Sequence, residues 1–108
     1  MSDTLIIVNF KTYEGSQGFS AEALARAMES IDTDARLVAA VSALDLSKVV
    51  EAAPDLEVWC QHLDPIGFGS NTGWLHPETA IHRGAKGTLI NHAAVSYTHL
   101  TLPTIYSV

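Results

Sequence analysis

A chain of 108 residues has room for one small domain and is short for an enzyme that needs a complete barrel. Hydrophobic residues make up 47% and charged residues 17%, a globular balance that excludes a disordered chain. Twelve acidic residues against six basic ones give a formal charge of −6 with no Lys/Arg cluster, so no nucleic-acid partner is expected. The lone Cys60 leaves no intramolecular disulfide and suits a reducing cytoplasm; within the apolar run 56–60 it reads as a buried, inert thiol. The chain opens Met-Ser-Asp-Thr with no basic leader region, and no stretch approaches the ~20 apolar residues of a membrane span. A cytoplasmic protein with no membrane partner is the expectation.

The first element is the continuous apolar run 5–10, the pattern of a strand covered on both faces. After Gly15, Ser16 and Gly18, Ser20 is placed to cap a helix over residues 21–31, with Phe19 stapling onto Leu24. Its apolar stripe is Leu24, Ala27, Met28 and Ile31. Residues 37–41 predict a second buried strand, and Leu46, Val49, Val50 and Ala53 a second helix ended by Pro54. A third strand over 56–61 leads into a loop from His62 to Leu75 holding Pro65, Gly67, Gly69 and Gly73. Pro77 at a first helical position and Gly84 past the end bracket a third helix, and residues 86–91 predict a fourth strand. Alternating β and α elements with apolar strands mean a parallel α/β sheet, either doubly wound or part of a (β/α)8 barrel. A barrel takes about 250 residues, so only about half of one would fit.

The character changes at Val95. Residues 95–108 contain no Asp, Glu, Lys, Arg or Gly and no helical stripe, where the pattern calls for a charged, capped helix. Residues 95–104 resemble the translation of a transposase-type sequencing-library adapter. The expected division is therefore 1–94 as native chain and 95–108 as a non-native tail, with no function assigned to His99 or Tyr106.

In either β/α architecture the ligand site lies at the carboxyl ends of the strands. The residues there are Asn9 and Lys11, Gln61 and His62, and Asn91 and His92. Asn9 and Lys11, two apart, would share a face if the backbone is extended, putting an amide beside an ammonium in a plausible phosphate and oxyanion site. Taken alone, a strand-end lysine is more often a solvated group and a lone histidine a structural one. Five histidines, at 62, 76, 82, 92 and 99, show no HxH or HxxxH spacing, so no metal is expected.

Four motifs add a resemblance. Val8-Asn9-Phe10-Lys11-Thr12-Tyr13 resembles the N-[FLW]-K opening strand of archaeal triosephosphate isomerases. Gln61-His62 resembles that family's A-Q-H segment, Gly69-Ser70-Asn71-Thr72-Gly73 its G-S-H-T-G loop, and Gly87-Thr88-Leu89-Ile90-Asn91-His92 its G-[TS]-L-[LI]-N-H strand. The likeness spans residues 5 to about 92. It implies a partial TIM barrel, roughly the first four strands and three helices. The implied activity is cofactor-free interconversion of glyceraldehyde 3-phosphate and dihydroxyacetone phosphate in glycolysis and gluconeogenesis. On that resemblance Lys11 fixes the phosphorylated triose, and Asn9 helps hold Lys11 and the substrate oxygens. His92 is the electrophile, donating from a neutral imidazole, a role for which this family is the standing example. Thr72 rides on a loop that braces a neighbouring subunit, which implies a homodimer or homotetramer.

The chain departs from the family in three places: Ala93-Ala94 after the histidine where Ser-Glu is usual, Trp74 after Gly73, and no glutamate base after a sixth strand. Glu57 and Glu78 fall at the start of a strand and in a helix, so they are not expected to replace it, and the chain alone is expected to be inactive. Two other readings stand beside this one. They are another phosphate-binding barrel enzyme, such as an indole-glycerol-phosphate synthase or phosphoribosyl isomerase, and a non-catalytic βαβ binding module.

Overall fold

The computed structural model describes residues 4–90 together with the backbone of residues 105–107. The strands are β1 (Leu5–Asn9), β2 (Arg36–Val41), β3 (Glu57–Cys60) and β4 (Ile105–Ser107), and the helices α1 (Phe19–Glu29), α2 (Leu46–Ala52) and α3 (Pro77–His82). The strand order is β3-β2-β1-β4. All neighbours are parallel, with Ile7 beside Val38 and Ala40 beside Trp59.

Both faces of this sheet are apolar because both are covered, as a parallel sheet requires. Val8, Phe10, Ala39, Val41, Val58 and Cys60 point toward the helices and form one core with Met28, Leu46 and Val49. Leu5, Ile7, Val38 and Ala40 point the other way and pack with Trp59 and Leu89. Half of a closed barrel lacks the opposite half that would cover this face and leaves its first strand unpaired on one side, yet none of these four is more than 3% exposed. The β1 edge carries β4 in parallel register, Leu5 beside Ile105 and Ile7 beside Ser107. This pairing falls within the stretch expected to be non-native, and the backbone bonds of a strand make no demand on side-chain identity.

Helix α1 sits differently from its expected stripe. It starts at Phe19, with Gly18 as its N-cap at φ 57, so Ser20 lies inside the helix. Gly18 N donates to Asp45 Oδ2 at 3.1 Å, tying this helix start to the loop before α2. Phe19, 88% exposed, makes no staple. The buried face is Ala21, Ala25 and Met28, whereas Ala27 is exposed and Ile31 lies past the helix end. Leu24 is partly buried and packs against the same core, so Leu24 and Met28 of the expected stripe face it.

Helix α2 buries Leu46 and Val49 as expected, and Ala53 follows as its C-cap. Helix α3 begins at Pro77 and is capped by His76, whose Nδ1 accepts from Thr79 N at 3.3 Å and meets Thr79 Oγ1 at 2.8 Å. Accepting at Nδ1 puts the ring proton on Nε2, which is buried and has no partner among the described residues. The imidazole therefore gains a cap and strands a donor. A serine would keep the cap without the orphan, so His76→Ser is expected to exceed His76→Ala by about 1 kcal/mol. Thermal denaturation of the two variants, separated by roughly 4–8 °C, checks it.

The segment expected as a fourth strand forms no full strand among the described residues but runs along β3 with a single bridge. Lys86 N donates to Val58 O at 2.9 Å, Cys60 N to Gly87 O at 3.0 Å and Leu89 N to Cys60 O at 3.2 Å, with Thr88 bridged in parallel to Cys60. Gly87 is required there. A Cβ on it would stand 2.8 Å from Trp59 Cε2. At the amino end of the sheet Arg36 grips Glu57 with two bonds of 2.7 and 2.6 Å, and Trp59 Nε1 donates to the same carboxylate at 2.8 Å. The Arg36 hydrogen bonds hold the Glu57 carboxyl below the usual carboxylate range, against an opposing push from burial.

Because its folded pKa is depressed, Glu57 contributes stability that is complete above the ordinary carboxylate range near ~4.3 and is lost as pH falls through the lower folded value. Arg36 is 57% exposed, which limits the contribution to about 0.5–1 kcal/mol. Glu57→Gln should lower the urea midpoint at pH 7 and converge on the unaltered chain in acid. Among the described residues no helix is long and apolar enough to cross a membrane.

Candidate active site

The carboxyl ends of β1, β2 and β3 bring Asn9, Ala40 and Gln61 together. Asn9 is the last residue of β1, and Phe10 N continues the ladder by donating to Ala40 O at 2.9 Å. The chain then turns. Lys11 has φ 54, the one positive value among the described non-glycine residues, so it is not extended and does not share a face with Asn9 by strand alternation. Asn9 reaches it through a local hydrogen bond, its Oδ1 accepting from Lys11 N at 2.9 Å. A lysine in this region costs about 1–2 kcal/mol, strain of a kind that gathers at functional positions.

Side chains also hold the carbonyl of the same residue. Gln61 Nε2 donates to Lys11 O at 3.0 Å and lies 3.4 Å from Asn9 Oδ1 and 3.3 Å from Ala40 O. Gln17 Nε2 donates to Lys11 O at 2.9 Å. The buried Ser16 hydroxyl donates to Phe10 O and also reaches Tyr13 O at 3.1 Å. The Lys11 ammonium reaches the Tyr13 hydroxyl at 3.5 Å and lies 5.5 Å from the centre of its ring. It makes no ion pair with a carboxylate among the described residues. An exposed, unpaired cation at a strand end can take an anion.

On the third strand's loop His62 Nε2 meets Asp64 Oδ1 at 2.9 Å. Asp64 Oδ2 accepts from Leu75 N at 2.7 Å, while Asp64 N donates back to Leu75 O at 2.9 Å. That clasp closes the base of the loop, and the Leu75 hydrogen bond, followed by His62, holds the Asp64 carboxyl below its ordinary range. Beyond the clasp Asn71 Nδ2 donates to Gly67 O at 3.0 Å, and Thr72 is exposed near the tip. Phe68 and Trp74 stand 83% and 57% exposed on the same excursion.

The structure thus brings Asn9 and Lys11 together and places Thr72, exposed, on the loop after β3. Asn91 and His92 lie outside the described residues. Glu57 opens β3 at the opposite end from Gln61, and Glu78 belongs to α3. Cys60 is fully buried, and burial raises its thiol pKa, the opposite of a nucleophile's setting. Gln61 was visible as a strand-end residue without a role. Nothing in the spacing of Ser16 or Gln17 sets them apart from ordinary loop polar residues.

A family model described as triosephosphate isomerase matches residues 4–97. Among curated proteins, the triosephosphate isomerase of Archaeoglobus fulgidus is 38% identical over 91 residues, covering 82% of this chain and 40% of the relative. That of Methanobrevibacter smithii is 39% identical over 95 residues, covering 86% and 42%. That of Saccharolobus solfataricus is 36% identical over 95 residues, covering 86% and 41%. The chain spans about two fifths of the length of these relatives. With a family match over most of the chain and a sheet of parallel βα units, this chain belongs to the triosephosphate isomerase family.

Proposed function

We propose that the protein to which this chain belongs interconverts glyceraldehyde 3-phosphate and dihydroxyacetone phosphate in the cytoplasm, as a homodimer or homotetramer. The observation that carries the reading is the Asn9–Lys11 turn, which leaves at the strand ends of a chain of this family an ammonium with no carboxylate partner among the described residues. Lys11 holds the phosphorylated substrate, and its positive charge offsets the negative charge that develops on the enediolate. The Asn9 amide, with Oδ1 occupied by Lys11 N, keeps its Nδ2 donor for a substrate oxygen. His92 donates a hydrogen bond to the substrate carbonyl as the adjacent carbon gives up its proton. A neutral donor suits this step because its proton affinity is closer to that of an enediolate. The base that takes the proton belongs to the three fifths of the family length that this chain does not span. Thr72 braces the Asn–Lys pair of a neighbouring subunit, and its exposure at the tip of a clasped loop supports that role.

Sequencing the source locus across codons 85–130, then expressing the complete reading frame, tests the proposal. A frame that continues past Ala93 without the 95–104 run and yields triose-phosphate turnover supports it. A frame that reads through the same tail to a stop, with no turnover, would leave the isomerase as ancestry only.

A further inference from the structure

We infer that Gln61 and Gln17 are positioning residues that clamp Lys11 in its left-handed backbone conformation, and so fix where its ammonium stands. The inference rests on the reading of Lys11 as the anion-holding residue, but the clamp is argued from contacts alone. Both polar groups of the Lys11 backbone are held by side chains. The N–H goes to Asn9 Oδ1, and the carbonyl oxygen accepts from Gln61 Nε2 and from Gln17 Nε2. The donors come from opposite sides, one at the end of β3 and the other from the turn before α1. Each is anchored elsewhere as well. Gln61 N donates to Val41 O at 3.0 Å and its side chain lies near Ala40 O, while Gln17 Nε2 also reaches Ser16 O at 3.0 Å. A carbonyl with two lone pairs met by two amide donors has little freedom to rotate. Release of either donor lets residue 11 relax toward the right-handed or extended regions that lysine prefers.

The position is also one where freedom would matter. Lys11 carries four side-chain carbons between backbone and charge, so a change at φ swings the ammonium through several ångströms. Misplacement of about 1 Å is enough to cost a catalytic group much of its effect. Gln61 and Gln17 touch no substrate in this account; they act through Lys11.

Solution NMR on the 108-residue chain tests the clamp. In the unaltered chain Lys11 should give the small one-bond Cα–Hα coupling and strong intraresidue HN–Hα contact of a positive φ. Gln61→Ala with Gln17→Ala should abolish that signature and speed exchange of the Lys11 amide about tenfold or more. Gln17→Ala alone should do so partly. Gln61→Glu, the same shape without donors, should resemble Gln61→Ala, and it covers the case in which the alanine variant does not fold. In a Lys11→Gly background the glutamine substitutions should leave position 11 unmoved, because glycine adopts the conformation unaided. A double variant that keeps the positive-φ signature and the original exchange rate overturns the inference. Failure of the Lys11 reading would appear elsewhere, as a Lys11→Ala full-length protein with undiminished turnover, and would leave the couplings as stated.

Discussion

Offered dihydroxyacetone phosphate in a coupled assay, the 108-residue chain is expected to turn it over no faster than buffer, and Lys11→Ala in the full-length protein to lower kcat/KM by about 10²–10³. The two expectations share a cause. Proton abstraction beside a carbonyl needs a base within hydrogen-bond reach, worth about 10²–10⁴ in rate, and a fixed charge for the enediolate. The described residues offer the charge. The carboxylates that could be mistaken for the base, Glu57 and Glu78, stand at the far end of β3 and on α3. On the proposed reading base, electrophile and cation act as a unit, so the loss of one forfeits most of what the others contribute. Lys11→Ala should therefore depress kcat together with kcat/KM, and a variant altered in KM alone would count against the enediolate role of Lys11.

The largest expected effect on stability falls at Gly84. Its φ of +105 is closed to side chains, and an added Cβ would stand 2.7 and 2.9 Å from the Val50 methyl carbons. Backbone strain and overpacking each cost about 1–3 kcal/mol, so Gly84→Ala should lose about 3 kcal/mol and lower the melting temperature by roughly 15 °C. Val50→Ala in the same chain should restore the packing part and leave the backbone part, which makes the pair a measurable cycle. Gly67→Ala is the control: a Cβ there meets nothing within 4 Å, and its φ is not positive. A Gly84→Ala chain with an unchanged melt would mean that residues 84–87 detach from α2 and β3 at little cost.

Much of the framework was legible because it rests on periodicity and punctuation. Buried strands of a parallel sheet read as apolar runs, and Pro77 and Gly84 mark the ends of α3 by mechanisms that hold in any context. The burial of Cys60 followed from its neighbours in the same way. The misplaced features depend on tertiary context. Of the stripe assigned to α1, Met28 is buried and Leu24 packs against the same core, whereas Ala27 and Ile31 are exposed and Ala21 and Ala25 take their place. Phe19 lost its staple when Gly18 took a positive φ and its N–H went to Asp45, 27 residues away. At the site, the pairing of Asn9 with Lys11 could be read but its geometry could not. Strand alternation explains a shared face only while the backbone stays extended, and Lys11 departs from that through hydrogen bonds donated by residues 6 and 50 positions away.

The order β3-β2-β1 has a consequence for how such a chain is made. Each of these strands pairs with the one synthesised just before it. A polypeptide leaving the ribosome amino end first can therefore settle β1 against β2, with α1 over both, before β3 has emerged. Only the β1 edge must wait, and its row of backbone donors and acceptors, here paired with β4, is open to other extended segments until then. Growth from one end is thus ordered, and closure at the other is the step at which a nascent chain can take the wrong partner.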